Sequence, residues 1–281
     1  NENDLLIRNK LGVESIQAAL TKKNAKKILK KYGAADLLIV RHIWEHVFDQ
    51  EKFAESLKIL IKENGIILLE IPDCSKLLES KDYTMLWEEH LFYYTMDTLI
   101  SSISKFGFQI VYKKITNYPN EPSINIAIKK TSLKKKFILN KLKLKNQITL
   151  GKDYKKNFLL SKKYVNHFLN FKIKHENYNI AVFGAGHLSI AFISFFNLEK
   201  YISVVFDDNK NKQNLYLPNM KIKIVSSNEI KKYKKILILL SVSLTNENKI
   251  IEKIKLIKGT NIKIKSIFPL SKHSIFNEKA K

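Results

Sequence analysis

A glycine turn between a strand and a helix is the feature that most restricts how this chain folds. The apolar run 178–183 is followed by the tripeptide Gly-Ala-Gly and then by a helical pattern of apolar residues. A second apolar run, 202–206, ends in Asp207. Strand, Gly-x-Gly turn, helix and a strand with an acidic end predict a Rossmann-like α/β unit. Such a turn binds phosphate and such an acid binds ribose, so Gly184, Gly186 and Asp207 are candidate ligand-binding residues.

The sequence restricts the identity of the ligand of this unit less than it restricts the fold. Ser189 stands where a dinucleotide-binding turn has its third glycine. The turn therefore indicates NAD only weakly. It is equally compatible with another phosphate-containing ligand or with close packing alone.

The first half of the chain also alternates helical and strand patterns. Thr21 and Asp49 are suitable N-caps, Gly33 fits a helix C-terminus, and short apolar runs such as 36–40 are typical of buried strands. The predicted elements are helices at 21–32, 49–63 and 95–105, strands at 36–40 and 66–71, and an antiparallel edge pair at 109–114 and 124–128.

Residues 129–177 form a lysine-rich segment with apolar residues at helical spacing, which predicts an amphipathic connector between two domains. A helix that lies on an anionic membrane surface is the alternative. The predicted organisation is therefore a first α/β domain over 1–128, the helical connector over 129–177, and the Rossmann-like domain over 178–281.

Composition restricts the partners and the compartment. The net charge is +24, but the lysines are spread along all 281 residues, and no nucleic-acid-binding motif accompanies them. We therefore expect solvated lysine-rich faces and no nucleic-acid partner. No apolar run approaches the ~20 residues of a membrane span, and no signal peptide is visible. A single cysteine, Cys74, fits a reducing compartment, so a cytoplasmic protein with no membrane partner is expected.

The stretch from Trp87 to Thr95 is the strongest candidate for chemistry. It contains Glu88, Glu89, His90 and four aromatic residues, and it follows the predicted strand 66–71. Ends of strands in open α/β sheets are where sites are built, and an apolar core has no use for two carboxylates beside an imidazole. A solvated loop with aromatic anchors is the alternative.

A second constellation, His42-Ile43-Trp44-Glu45-His46, matches the inverted zinc-protease pattern His-x-x-Glu-His. That pattern needs a helix, which brings two histidines four residues apart onto one metal ion. Here it begins at a strand end, and Glu88 or Glu89 would have to supply a third ligand. Zinc hydrolysis is therefore the lesser interpretation, and a buried, hydrogen-bonded His46 is an alternative without any ligand.

Three blocks together resemble the sugar C-methyltransferases. The first is the loop Trp-Glu-Glu-His-Leu-Phe-Tyr-Tyr-Thr at 87–95, and the second is Ala-Asp-Leu-Leu-Ile-Val-Arg-His-Ile-Trp-Glu-His-Val at 35–47. The third combines Val-Phe-Gly-Ala-Gly-His at 182–187 with Asp-Asp-Asn-Lys-Asn-Lys-Gln at 207–213 and Leu-Pro at 217–218. The blocks occur in the family's order and cover nearly the whole chain.

The resemblance implies a class I methyltransferase domain, Rossmann-like and incomplete here, followed by a second Rossmann-like α/β domain, with the active site in the cleft between them. It implies S-adenosylmethionine as cofactor, a nucleotide-linked keto sugar as substrate, and a role in deoxysugar biosynthesis. The implied roles are general base for His90, assisted by Glu89, cofactor binding for Arg41 and His42, and substrate binding for His46, Trp87, Tyr93, Gly184, Gly186 and Asp207.

The chain also departs from the family. Trp87 replaces a tyrosine, no paired cysteines form a zinc module, and no Gly-rich loop precedes Asp36. These absences predict an N-terminally truncated protein that binds S-adenosylmethionine weakly and whose first strand has an open edge, which favours a homo-oligomer. The alternatives are a non-catalytic nucleotide-sugar binding protein and an NAD(P)-dependent oxidoreductase that uses the C-terminal unit.

Overall fold

The computed structural model describes residues 6–8, 14–87, 89–118, 121–131 and 141–280, without the side chains of 6–8 and 278–280. The chain forms two compact units. The first comprises Asn1–Asp73, Glu89–Asn117 and Glu121–Lys141, and the second comprises Cys74–Glu88, Tyr118–Asn120 and Leu142–Lys281. This grouping differs from the predicted boundaries at 128 and 178, because 74–88 and most of the predicted connector belong to the second unit.

The predicted helices and strands occur in the predicted order, and the structure adds further elements, among them the helices Ser75–Ser80 and Leu244–Lys255. The helices are α1 (Lys22–Tyr32), α2 (Gln50–Leu60), α3 (Ser75–Ser80), α4 (Met96–Lys105), α5 (Lys141–Lys174), α6 (His187–Phe196) and α7 (Leu244–Lys255). The strands are β1 (Leu6–Arg8), β2 (Glu14–Ile16), β3 (Ala35–Arg41), β4 (Ile61–Pro72), β5 (Phe108–Thr116), β6 (Ser123–Lys130), β7 (Asn179–Phe183), β8 (Ile202–Phe206), β9 (Ile224–Val225), β10 (Lys235–Leu240) and β11 (Asn261–Ser266). Short 3-10 turns lie at Trp44–His46, Glu199–Tyr201, Ser227–Lys232 and Ile275–Ala280.

The first unit contains a mixed four-stranded sheet in the order β3-β4-β6-β5, in which only the β3–β4 pair is parallel. Its core lies on one face and joins β4 and β6 to α2 and α4, with Trp44 and Ile67 among the fully buried side chains. The predicted caps are confirmed: Thr21 Oγ1 accepts a hydrogen bond from Asn24 N at 3.2 Å, and Asp49 caps α2. The antiparallel pair is also confirmed, although of its two strands β6 is an inner strand and β5 lies at an edge.

Two predictions in this unit are wrong. The strand beginning near Asp36 is not buried, because β3 pairs only with β4 among the described strands, and Leu37 and Ile39 on its outer face are 53% and 64% exposed. The second helix ends at Leu60 rather than Glu63, because β4 already begins there. Gly65 lies in a β-bulge of β4, where an added Cβ would lie 3.0 Å from Ala35 O.

The second unit is a parallel five-stranded sheet in the order β11-β10-β7-β8-β9. One face packs on α5 and α6 and the other on α7, so the central strands are apolar on both faces, as parallel strands covered by helices must be. The predicted Rossmann-like unit and the predicted α/β fold class are confirmed. The C-terminal part of α5 contributes Val165, Phe168 and Leu169 to this core. Among the described residues, no helix has both the length and the apolar character that a membrane span requires.

Candidate functional site

The carboxyl ends of β3 and β4 bring Arg41, His42 and Glu70 together. The Arg41 guanidinium Nε lies 2.7 Å from Glu70 Oε2, and the His42 backbone N–H donates to Glu70 O at 2.8 Å. His42 has φ +50°, a left-handed conformation that is uncommon for a residue with a side chain. The strand therefore ends abruptly at His42, and the following residues turn back as the 3-10 turn Trp44–His46.

The Glu45 carboxylate is the centre of the cluster that this turn builds. Its side chain is only 2% exposed, and neither carboxylate oxygen has a hydrogen-bond partner. Burial raises the pKa of Glu45, while nearby His46 and His42 act in the opposite direction. Its backbone carbonyl accepts from Leu91 N at 3.0 Å and from Phe92 N at 3.2 Å, which fixes the loop after Glu88 against the turn.

Three imidazoles adjoin this carboxylate. His42 Nδ1 lies 3.5 Å and His46 Nε2 3.9 Å from Glu45 Oε1. The rings of His46 and His90 are 4.7 Å apart at an angle of 77°. One ligand atom from each of Glu45, His46 and His90 lies within 4.8 Å of the others. His46 Nδ1 is 2.9 Å from the carbonyl oxygen of Glu89. Glu89 thus contacts the cluster through its backbone, while its side chain is exposed.

The pKa of a second acid, Glu121, is affected by the same cluster. Burial raises the pKa of Glu121 to about 7, and repulsion by the negative charge of Glu45 adds to the shift. Glu70 carries a further buried oxygen, Oε1, without a hydrogen-bond partner, 3.9 Å from His42 Nε2. The first unit therefore brings three carboxylates and three imidazoles together near the end of β3. Most of these side chains are partly or fully buried.

The remaining predicted residues are held by contacts within the second unit. Trp87 stacks on the imidazole of His187 with ring centroids 3.6 Å apart and planes at 5°. His187 Nε2 lies 3.1 Å from Leu86 O, and a carbonyl oxygen can only accept, so Nε2 carries the proton. The stack joins the segment 74–88 to the first residue of α6.

The glycine turn of the second unit is closed by its own neighbours. Gly184 has φ +109°, and an added Cβ would lie 3.1 Å from Ser241 O. The turn N–H groups are already used: Gly184 N donates to Phe206 O at 2.8 Å, Ala185 N to Asp207 Oδ2 at 2.8 Å, and Gly186 N to Ser189 Oγ at 3.2 Å. A phosphate at these three groups, or a ribose at this carboxylate, would have to replace an existing bond.

The predicted site residues thus fall into two groups. Arg41, His42, His46, Glu89, His90 and Tyr93 belong to the first unit, where the Tyr93 ring lies 5.7 Å from that of His90. Trp87, Gly184, Gly186 and Asp207 belong to the second. Sequence reasoning missed Glu45 and Glu121 as site residues. The His-x-x-Glu-His pattern pointed to Glu45, whereas nothing local to Glu121 indicates that it is partly buried beside another acid.

Two family models match the chain. The model of a methyltransferase domain matches residues 6–113, and that of the C-methyltransferase C-terminal domain matches residues 140–269. The expected combination of a methyltransferase domain followed by a C-methyltransferase C-terminal domain is therefore confirmed. S-adenosylmethionine, the cofactor that the resemblance implies, is confirmed together with these domains.

The chain is similar to the C-methyltransferase NovU of Streptomyces niveus, at 25% identity over 105 residues. That stretch is 37% of this chain, and the chain spans about a quarter (25%) of the length of this curated relative. Among solved structures it is similar to a SAM-dependent methyltransferase from Anabaena variabilis (21% identity, 40% of this chain and 55% of the other, TM-score 0.31). A second, from Clostridium acetobutylicum, matches at 12% identity over 35% and 59% with a TM-score of 0.29. Scores this low add nothing to the assignment.

Proposed function

We propose that this protein takes part in S-adenosylmethionine-dependent C-methylation, at a carbon next to the ketone of a nucleotide-linked keto sugar. Three findings support the proposal: the two matched domains, the likeness to a named C-methyltransferase, and the cluster at the end of β3. The observation that carries it is the pairing of His46 and His90 beside a buried carboxylate. A carbon acid needs a positioned base, and imidazole is the side chain best suited to that role near neutral pH.

The chemistry divides between the donor and the protein. S-adenosylmethionine, when bound, supplies an electrophilic methyl group whose transfer releases a neutral thioether. The protein must remove a proton from the C–H bond next to the carbonyl, which leaves an enolate whose carbon forms the new bond. His90 takes that proton at a ring nitrogen, and Glu89, next to it, holds the sugar or orients the imidazole. The carbonyl oxygen of Glu89 fixes the proton of His46 on Nδ1, so the tautomer of the neighbouring ring is set.

The donor-binding role falls to Arg41 and His42. Arg41 is the last residue of β3 and His42 follows it, at the edge of the sheet where open α/β folds bind ligands. The buried Oε1 of Glu70, which has no hydrogen-bond partner, is an acceptor of the kind that a ribose hydroxyl or an ammonium group requires. The residues present at this strand end therefore fit the polar part of the donor.

The sugar-binding role falls to His46 and Tyr93 in the first unit and to Trp87 in the second. Gly184, Gly186 and Asp207 hold the nucleotide part. The stacked pair of Trp87 and His187 offers a flat apolar surface of the kind on which sugar and base rings pack. These assignments rest on the family resemblance.

Solvent exchange of the substrate proton tests the base without the methyl donor. A nucleoside-diphosphate keto sugar is incubated in deuterated water with the full chain, and NMR follows loss of the proton next to the ketone. His90→Gln should slow this exchange by about 10² or more, because general-base catalysis typically contributes that much. The matched control is His167→Gln, which removes an exposed imidazole on α5 and should leave the rate unchanged.

Exchange at the wild-type rate in His90→Gln would remove His90 from the mechanism. Methylation itself is followed by mass spectrometry after addition of S-adenosylmethionine. If the chain exchanges no keto-sugar proton and methylates no keto sugar, the proposed substrate class is wrong.

A further inference from the structure

The contact between Glu45 and His46 poses a charge problem that the proposed reaction does not solve. The carbonyl oxygen of Glu89 lies 2.9 Å from His46 Nδ1 and can only accept, so the ring proton sits on Nδ1. In the neutral imidazole Nε2 then presents a lone pair. That lone pair lies 3.9 Å from Glu45 Oε1, an oxygen without a hydrogen-bond partner that also lies 3.5 Å from His42 Nδ1. Two acceptors this close to each other, one of them buried, are stabilised by a positive species between them, either a proton or a metal ion.

We propose that Glu45, His46 and His90 form a binding site for a divalent transition-metal ion of the zinc type. One donor atom from each residue lies within 4.8 Å of the other two. Around zinc, with bonds of about 2.0–2.2 Å, neighbouring ligand atoms lie roughly 3.4 Å apart, so small side-chain rotations suffice to close the site. The carboxylate supplies the negative charge, and its two oxygens without hydrogen-bond partners gain the partner that a buried acid needs.

The surroundings of His46 match those of a metal ligand. A metal-bound histidine usually donates its second ring N–H to a carbonyl or a carboxylate, which fixes the ring and raises its basicity. The bond from Nδ1 of His46 to the Glu89 carbonyl has this form. It leaves Nε2, the nitrogen that faces Glu45, as the donor atom.

The donor set decides the class of ion. Two imidazole nitrogens and one carboxylate oxygen suit zinc, cobalt, nickel, iron and manganese, whereas magnesium and calcium prefer oxygen alone. Three protein ligands also leave at least one coordination position open. The Glu45-His46 pair is the second half of the His-x-x-Glu-His pattern, and the third ligand comes from His90 rather than from His42, the first residue of that pattern.

The inference goes beyond the proposed function, because metal binding needs neither the methyl donor nor a sugar. It has one consequence for that function. A lone pair of His90 that is bound to a metal cannot accept a proton from the substrate. The metal-loaded protein should therefore lose the proton exchange that His90 supports, and removal of the metal with a chelator should restore it.

The test is a titration of the full, metal-free chain with cobalt(II) and zinc(II). Cobalt(II) gives visible absorption bands whose intensity reports low-coordinate nitrogen and oxygen ligation, and calorimetry gives the zinc affinity and stoichiometry. We expect one site in the wild-type chain. Glu45→Gln and His90→Gln should each weaken it by more than the roughly 10- to 100-fold that loss of an outer-shell partner costs. His167→Gln is the matched control and should bind as the wild type does.

Folding is monitored in parallel. Glu45→Gln keeps the shape of a buried side chain and removes an uncompensated charge, so its unfolding temperature without metal should not fall. His90 is only half-buried, so His90→Gln offers a second variant whose fold does not depend on the core.

The proposal is overturned if the wild-type chain binds neither ion, since a proton then fills the space between Glu45 and His46. It is also overturned if both ligand variants bind as tightly as His167→Gln, which would mark surface binding. If zinc binds through these residues and proton exchange continues unchanged, the metal site stands and His90 is not the base. Failure of the two proposals is thereby distinguishable.

Discussion

Glu45 shows how one residue gains its chemistry from where the chain turns. In the sequence it is an acid between a tryptophan and a histidine, and such acids are normally solvated. The left-handed conformation of His42 and the 3-10 turn that follows carry it into the interior beside Trp44, where its charge has no hydrogen-bond partner. Both of our proposals on the first unit depend on this burial.

Gly184 is a second residue whose role can be isolated. At φ +109° a residue with a side chain is strained by about 1–3 kcal/mol. Gly184→Ala would also place its Cβ 3.0 Å from Ser241 Oγ and 3.1 Å from Ser241 O. We expect the free energy of unfolding to fall by at least that amount, as measured by urea denaturation.

The control is Gly151→Ala in α5, where an added Cβ meets nothing within 4 Å. Alanine is the better helix former by about 0.5–1 kcal/mol, so this variant should be slightly more stable than the wild type. Equal stability of the two variants would show that the turn at Gly184 tolerates a side chain.

At the scale of elements, β3 is a strand whose burial differs from what its sequence pattern predicts. The run 36–40 is continuous and apolar, which is typical of a strand covered on both faces. Within the described residues only one face is covered, and β3 pairs on one side only, with β4. An apolar, exposed edge strand is a template for another chain.

We therefore predict that Ile39→Lys reduces self-association. Ile39 is 64% exposed on β3, and a lysine on an edge strand opposes edge-to-edge pairing. Sedimentation velocity over a range of protein concentrations should show the wild-type chain associating and the variant shifted towards monomer. Leu159→Lys, on the helix α5 and 67% exposed, makes the same change away from any strand edge; it is the control and should behave as the wild type does. A purely monomeric wild-type chain would contradict the prediction.

The local elements were predictable because their signals are local. Thr21, Asp49 and Thr95 cap helices in the structure as their side-chain chemistry predicts. The end of α2 was not predictable, because Asn64-Gly65 resembles a helix stop and yet belongs to the bulge of β4. The glycine permits close approach to Ala35, a contact that no local pattern reveals.

At the scale of the whole molecule, the two units offer different chemistry within one strongly basic chain. The first carries the imidazole and carboxylate cluster, and the second carries the glycine turn. The net charge of +24 produces a positive field that favours doubly charged phosphate ligands. The segment 74–88 belongs to the second unit although the residues on either side belong to the first. Trp87 and His90, three residues apart, therefore lie in different units.

We predict that the full chain binds a uridine or thymidine diphosphate sugar more tightly than NAD. Ser189 stands where a dinucleotide-binding turn has its third glycine, and the family resemblance assigns the substrate nucleotide to this unit. Calorimetry with both ligands measures the preference. Binding of the sugar nucleotide should weaken as salt is raised, because screening reduces the attraction of the positive field.

Replacement of Asp207 by asparagine sharpens this comparison. Asp207→Asn should change the affinity for the preferred ligand little if that acid only closes the turn, and strongly if it holds a ribose. Tight NAD binding with no sugar-nucleotide binding would favour an oxidoreductase and contradict the proposed function.

The sequence by itself determined the order of the elements, the parallel second sheet and the family, because apolar periodicity, caps and motif spacing are carried by neighbouring residues. It also identified His42, His46 and His90 as candidates, since imidazoles at strand ends are visible in the order of residues. Only the tertiary structure decided that Glu45 is buried between two histidines, that the acid at 121 adjoins it, and that the N–H groups of the glycine turn are already bonded. Whether a group is buried, and which group it pairs with, depends on residues far apart in the chain. Burial and pairing together set the charge of the group and the lone pairs that it can offer.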